Sequence, residues 1–341
     1  MAAPLARASL LERAWELQRR SDMAGIVDLL ADVSRAELTA EPELGLMLGF
    51  GWFHAGQWER ALDIVQALYE SLRGGDSRLA RRVLNLHAMV LLNQGSLPEA
   101  EELWTELQER SVRESDPVTL AWASANLAAV ADVQCRWEDA LASSQRACAV
   151  QQQLGDRRAL GGTHHNLGMT YRQLGFLHDA DRSFERAAEY FRDHGSEDEI
   201  ALTEMERGLT LYMLGDHRLA AASVGRALER FTRLGHVVGQ CDCWRVLAIF
   251  ALRERRLDQA RRLLQPALER IREAVDRLTE AEILEELAVL EKLEGNAGES
   301  ARRAAEAGSI YRGMGAVRRA DRMEERLRAA APGSGPTPGA G

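Results

Sequence analysis

No stretch of the 341 residues approaches the roughly eighteen consecutive apolar residues that a membrane-spanning helix needs. The N-terminal MAAPLARASLLERAW has no positive start followed by a long apolar run, so no secretory signal is expected. Cysteine is scarce: Cys135, Cys148, Cys241 and Cys243 are the only four, too few for a disulfide framework and suited to a reducing cytoplasm. Lysine is nearly absent, with Lys292 the only one; this bias points to a GC-rich bacterial genome rather than to selection for arginine contacts. Positive charge is in deficit, 43 basic against 52 acidic residues for a net charge of -9, which argues against a generic nucleic-acid binder. There is no Walker loop, no glycine-rich dinucleotide fingerprint, no HExxH and no nucleophile elbow, so no enzymatic activity and no cofactor are expected. Cys241-Asp-Cys243 is the nearest thing to a metal motif. Residues two apart on a helix point about 160° from one another, so these thiols cannot share an ion, and neighbouring His164 and His165 diverge in the same way.

Proline and β-branched residues are also sparse, while Ala, Leu, Arg and Glu dominate, the composition of an all-helical chain. The stretch Gly161 to Gly195, GGTHHNLGMTYRQLGFLHDADRSFERAAEYFRDHG, shows how those residues are arranged. Leu167, Gly168 and Tyr171 mark one amphipathic helix; Ala180, Phe184 and Ala187 share a face of a second. Gly175 breaks the run between them and Gly195 closes the second. Two helices approach closely only where side chains are nearly absent, so Gly168 pairs with Ala180 while Tyr171 and Phe184 fill the flanking space.

This set repeats every forty residues. The second-helix alanine recurs as Ala100, Ala140, Ala180, Ala220 and Ala260, then as Ser300, with Ala61 one slightly shorter step earlier. The small first-helix residue recurs as Gly49, Ala88, Ala128, Gly168, Gly208, Ala248 and Ala288. The breaker recurs as Gly56, Gly95, Gly175, Gly215 and Gly295, with Cys135 and Arg255 as exceptions. Three columns in phase specify a solenoid in which each hairpin buries its apolar face on its neighbours.

Leu167-Gly168-x-x-Tyr171 followed by Ala180-x-x-x-Phe184 resembles the tetratricopeptide repeat signature. His164 stands where the family often has Trp, and Arg192 where it often has Pro. The step exceeds the family's usual length of about thirty-four residues and resembles the long-repeat subclass of kinesin-light-chain-type and Pins-type scaffolds and of many bacterial regulators. The resemblance implies an all-α, right-handed α-solenoid of about eight hairpins plus a C-terminal capping helix. The hairpins fall near 5–37, 42–73, 77–110, 117–155, 158–195, 197–235, 237–275 and 278–313, with the cap at 316–331 and a disordered tail at 332–341. In the first hairpin Trp15 takes the aromatic position, Ala24 the small position, and Ser21 or Asp22 caps the second helix. Asp116-Pro117 starts the fourth.

In the resembling family the first helix of each repeat lines a concave groove. Its contact positions map here onto Met47, Phe50, Met89, Asn93, Trp122, Asn126, His165, Asn166, Met169, Arg172, Met205, Leu209, Tyr212, Arg245 and Ile249. The face reads as strongly apolar, with methionines that adapt to varied partners. Asn126 and Asn166 sit at one position in successive repeats, where amides can pair with the backbone of an extended peptide. The expectation is a non-enzymatic, cytoplasmic scaffold that binds a peptide or helix of another protein and contacts neither nucleic acid nor membrane. The alternative is a peptide-sensing bacterial regulator without its own DNA-binding domain. Arg253, Arg255, Arg256, Arg261 and Arg262 alternate with acids and read as a solvated face rather than a phosphate-binding stripe, while the denser group Arg302, Arg303, Arg318, Arg319, Arg322 and Arg326 is a weak candidate for an acidic partner.

Overall fold

The computed structural model describes residues 4–329 apart from positions 21, 56, 73, 74, 76, 195 and 196. The expected breaker Gly56, the closing Gly195, the Ser21 cap and the 332–341 tail lie outside the described residues. Those residues form eighteen helices and no strand. They divide into two units, the first ending at Ala123 and the second beginning at Ser124.

The N-terminal unit holds α1 (Pro4–Arg19), α2 (Met23–Leu30), α3 (Arg35–Ala40), α4 (Pro42–His54), α5 (Trp58–Leu72), α6 (Arg78–Asn93) and α7 (Leu97–Arg113), and α8 (Pro117–Val133) begins in it. Helices α4 and α5 pack together, as do α6 and α7. The first hairpin departs from the repeat. Asp22 caps α2, accepting from the Gly25 N–H at 2.8 Å, but α2 is only eight residues long and buries Ile26 and Leu30, leaving Ala24 exposed. The six-residue α3 was not anticipated. Its signal is local: Ser34 and Glu37 form a reciprocal capping box, each side chain accepting from the other's backbone N–H.

The C-terminal unit continues with α9 (Trp137–Leu154), α10 (Arg157–Gln173), α11 (Leu177–His194), α12 (Glu197–Met213), α13 (His217–Leu234), α14 (Val237–Arg253), α15 (Leu257–Ala274), α16 (Arg277–Leu293), α17 (Ala297–Gly313) and α18 (Val317–Ala329). Each odd helix from α11 to α17 packs antiparallel on the even helix before it. The small-residue columns mark the contacts. Ala140, Ala180, Ala220 and Ala260 are wholly buried. A Cβ added at Gly168 would lie 2.7 Å from the Phe184 ring, and one at Gly208 would lie 2.5 Å from Val224. Absence of a side chain at these positions is therefore what lets the hairpin close.

The breaker column works through backbone shape. Gly95, Gly175, Gly215 and Gly295 have φ between 84° and 91°, and the exceptions Cys135 and Arg255 adopt the same left-handed region at 56° and 60°. A further column caps the first helices. Asp116, Asp156 and Asp276 accept from the backbone N–H three residues on at 2.9–3.1 Å. His236 does so through its ring nitrogen at 3.0 Å.

Candidate functional site

Within the C-terminal unit successive first helices touch one another: α10 meets α12, α12 meets α14, α14 meets α16 and α16 meets α18. Successive second helices make no comparable contact among the described residues. Helices that pack at the smaller radius line the inside of a curved array, so the even helices form the inner face. The last of them reaches back to the first hairpin of the unit, where the Arg322 guanidinium lies 4.0 Å from the Trp137 ring centroid.

Five of the expected groove residues belong to the N-terminal unit. Met47 is buried in the core beneath α4, and Phe50 packs half-buried against that core. Met89 is half-buried; its sulfur accepts from Asn85, and Asn93 donates to the Met89 carbonyl at 2.9 Å, back onto its own helix. Trp122 is half-buried.

The other ten belong to the C-terminal unit, and they do not form one apolar surface. Asn126, Asn166, Met169 and Leu209 are partly exposed. Thr170 donates to the Asn166 carbonyl, while the Asn166 side-chain amide makes no hydrogen bond among the described residues. Met205 has no exposed surface and sits in the core between α12 and its neighbours, so it is packing rather than contact surface. Ile249 is also buried. Tyr212 stacks on Phe250 with centroids 4.2 Å apart and donates to the Phe250 carbonyl at 3.4 Å. It joins α12 to α14 instead of facing a ligand. His165 lies edge-on to Phe184, with Nδ1 3.1 Å from the Thr203 hydroxyl. Its burial lowers the imidazole pKa to about 4, so it is neutral and internal at physiological pH. The expected methionine-rich groove is corrected accordingly: two of its four methionines are spent on helix packing.

Charge takes the place of that apolar surface. Arg172 pairs with Glu206 at 2.6 Å and donates to the Glu206 carbonyl at 2.9 Å. Arg245 pairs with Asp242 at 3.1 Å and Glu282 at 3.0 Å. From α18, Arg319 pairs with Glu282, and Arg326 pairs with Glu285 at 2.7 Å and Glu286 at 2.8 Å. Tyr311 donates to Glu285 at 3.2 Å. Burial pushes the Asp132 carboxyl up to about 6 against the pull of Arg319 and Arg172, and one of its oxygens is buried without a hydrogen-bond partner. Burial also raises Asp242. Glu206 and Glu282, although burial works the other way, are held below the usual range by Arg172 and Arg245 respectively. A signal for this network was present in the register. The column of Asn126 and Asn166 continues as Glu206, Val246, Glu286 and Arg326, and Arg245 is followed forty residues on by Glu285.

Other features are accounted for by packing. Cys241 and Cys243 are both fully buried, and burial raises the Cys241 thiol to about 11. His164 stacks on Tyr190 at 5.7 Å. No group of His, Cys, Asp and Glu among the described residues could hold a metal ion. A surface dent of about 420 Å³ between α12 and α13 is lined by Arg226, Arg230 and Arg233, whose charges are met by Glu197 and Glu204. No described helix is long and apolar enough to cross a membrane.

The fold is that of tetratricopeptide-type helical-repeat proteins. The chain is similar to a Rap protein complexed with competence and sporulation factor, at 13% identity over 95% of this chain and 97% of that one, with a TM-score of 0.68. It is similar to NprR in complex with its cognate peptide NprX, at 15% identity over 85% and 82%, with a TM-score of 0.61. It is also similar to aspartyl phosphate phosphatase F from Bacillus subtilis, at 12% identity over 97% and 95%, with a TM-score of 0.54. No protein-family model matches the chain, and no curated protein matches it in sequence.

Proposed function

We propose that the protein is a non-enzymatic, cytoplasmic interaction protein that binds a peptide or helix of another protein along the inner face of its first helices. The observation that carries this reading is the run of part-exposed Asn166, Met169 and Leu209 on the consecutive inner helices α10 and α12, with the Asn166 amide unengaged. An amide there is solvated before binding and offers both donor and acceptor to a partner backbone. The solved neighbours include NprR with its cognate peptide, which supports a peptide as the bound species and keeps the peptide-sensing regulator as the second reading.

Affinity purification with mass spectrometry identifies the partner, and a titration against the partner segment tests the site. Asn166→Ala leaves a partner group unsatisfied, which lowers affinity by about 1–3 kcal/mol, or one to two decades, with the melting temperature unchanged. A lower melting temperature with affinity intact would move Asn166 into the scaffold and remove this support. Catalysis has no place in the reading. Acetyl phosphate is expected to hydrolyse at its uncatalysed rate in the protein's presence, and acceleration would replace the binding reading by an enzymatic one.

A further inference from the structure

The inner face of the C-terminal unit has a marked charge imbalance once α18 is set apart. Asp132, Glu206, Asp242, Glu282, Glu285 and Glu286 gather there, against Arg172 and Arg245 on the same inner helices. Like charges at this density in a poorly solvated space repel strongly. The balance is restored from α18. Arg319 takes Glu282, Arg326 spans Glu285 and Glu286, and Arg322 covers Trp137.

The helix that supplies these arginines is held lightly for its position. It is 13 residues long, carries five arginines against three acids, and buries only Ala320, Met323 and Leu327. By register it is the first helix of a ninth repeat, forty residues beyond α16, and no described second helix closes over it. The inner helix α14 buries ten side chains or glycines and α16 eleven. Attachment of α18 therefore depends on its ion pairs far more than theirs does. Asp132 still has a buried oxygen with no hydrogen-bond donor, so even with α18 in place the acidic face is not fully met.

We propose that this face is the seat of a cationic helical segment of a partner protein, and that α18 occupies it as the chain's own surrogate, to be displaced when the partner arrives. The inference rests on the inner-face binding reading above and adds the partner's charge and helicity and the competition that gates it. The arginine spacing of α18, at positions 319, 322 and 326, describes the partner's expected pattern of basic residues three and four apart.

A labelled synthetic peptide with the sequence of residues 317–329 serves as the probe, titrated by fluorescence anisotropy into the full-length chain. A covalently attached competitor acts at an effective concentration in the millimolar range. The peptide should therefore bind the double variant R319A/R326A about tenfold or more tighter than wild type. Adding Glu282→Gln and Glu286→Gln should abolish that binding, and a peptide with its three inward arginines replaced by glutamate should not bind. Equal affinity for wild type and double variant would overturn the proposal, as would equal binding of a scrambled peptide of identical composition. Should the variant fail to fold, hydrogen exchange on the wild type decides. Excess peptide should speed exchange of the α18 amides, and unchanged exchange at saturating peptide would overturn displacement. A neutral or acidic partner segment whose affinity depends on Asn166, with no response to the cationic peptide, would reject this inference and leave inner-face binding standing.

Discussion

Two glycines of one hairpin give the most direct test of the packing logic. Gly208 lies within α12 and Gly225 within α13. Alanine is preferred to glycine inside a helix by about 1 kcal/mol, so helix propensity alone predicts stabilisation at both sites. The surroundings differ. A Cβ at Gly225 meets nothing within 4 Å, whereas one at Gly208 lies 2.5 Å from Val224 Cγ2, 3.1 Å from the Ala220 carbonyl oxygen and 3.4 Å from the Val224 nitrogen. Val224 is fully buried and cannot swing away, and the other two atoms are backbone, so α12 and α13 must part. Overpacking of this kind costs about 1–3 kcal/mol. Gly225→Ala should then gain about 1 kcal/mol, while Gly208→Ala should range from near neutral to a loss of about 2 kcal/mol. Because a solenoid couples mainly neighbouring repeats, hydrogen exchange should localise the loosening of Gly208→Ala to α10 through α15. Urea unfolding of the two variants against wild type provides the comparison. If Gly208→Ala stabilised the chain as much as Gly225→Ala, close approach at the small column would not be what closes the hairpin.

Val275 ends α15 with φ 58° and its side chain exposed, so Val275→Gly should relieve left-handed strain on a β-branched residue and raise stability by about 1 kcal/mol in thermal and urea melts. Asp132 binds its proton more tightly folded than unfolded, so its ionisation opposes folding as pH rises from about 4 to about 6 and the penalty is complete above that range. Asp132→Asn should therefore be more stable than wild type at pH 8 by about 1–3 kcal/mol, with the advantage fading as pH falls towards 4; a gap independent of pH would contradict this. Arg172→Met leaves Glu206 buried without its cation and should destabilise by about 3–5 kcal/mol, a loss that Glu206→Gln in the same chain should partly restore.

The hairpin register was legible because it rests on positions where only small residues fit, and that constraint recurs every forty residues in the chain itself. The breaker column rests on backbone shape instead, so Cys135 and Arg255 read as exceptions in the sequence although their φ values match the glycines' left-handed region. The inner face was harder to read. Met205 and Arg172 both lie on first helices, yet only packing decides that one fills the core and the other pairs across to α12. His165 is polar in sequence and internal in the fold because Thr203, thirty-eight residues away, accepts or donates at its ring nitrogen. The short α3 was missed for another reason: six residues are too few to show a period, and only its capping box marked it.

The changing column on the inner helices has a consequence for how those helices are seated on one another. Identical repeats would present the same groups at every step, so one repeat could slip past the next with little penalty. Here the run is amide, amide, carboxylate, aliphatic, carboxylate, guanidinium, from Asn126 and Asn166 through Glu206, Val246 and Glu286 to Arg326, and Glu206, Val246 and Glu286 are buried. A slip of one step would part Glu206 from Arg172 and Glu286 from Arg326, leaving buried charges unpaired. An array built by repetition thus acquires a head and a tail, set by its own interior.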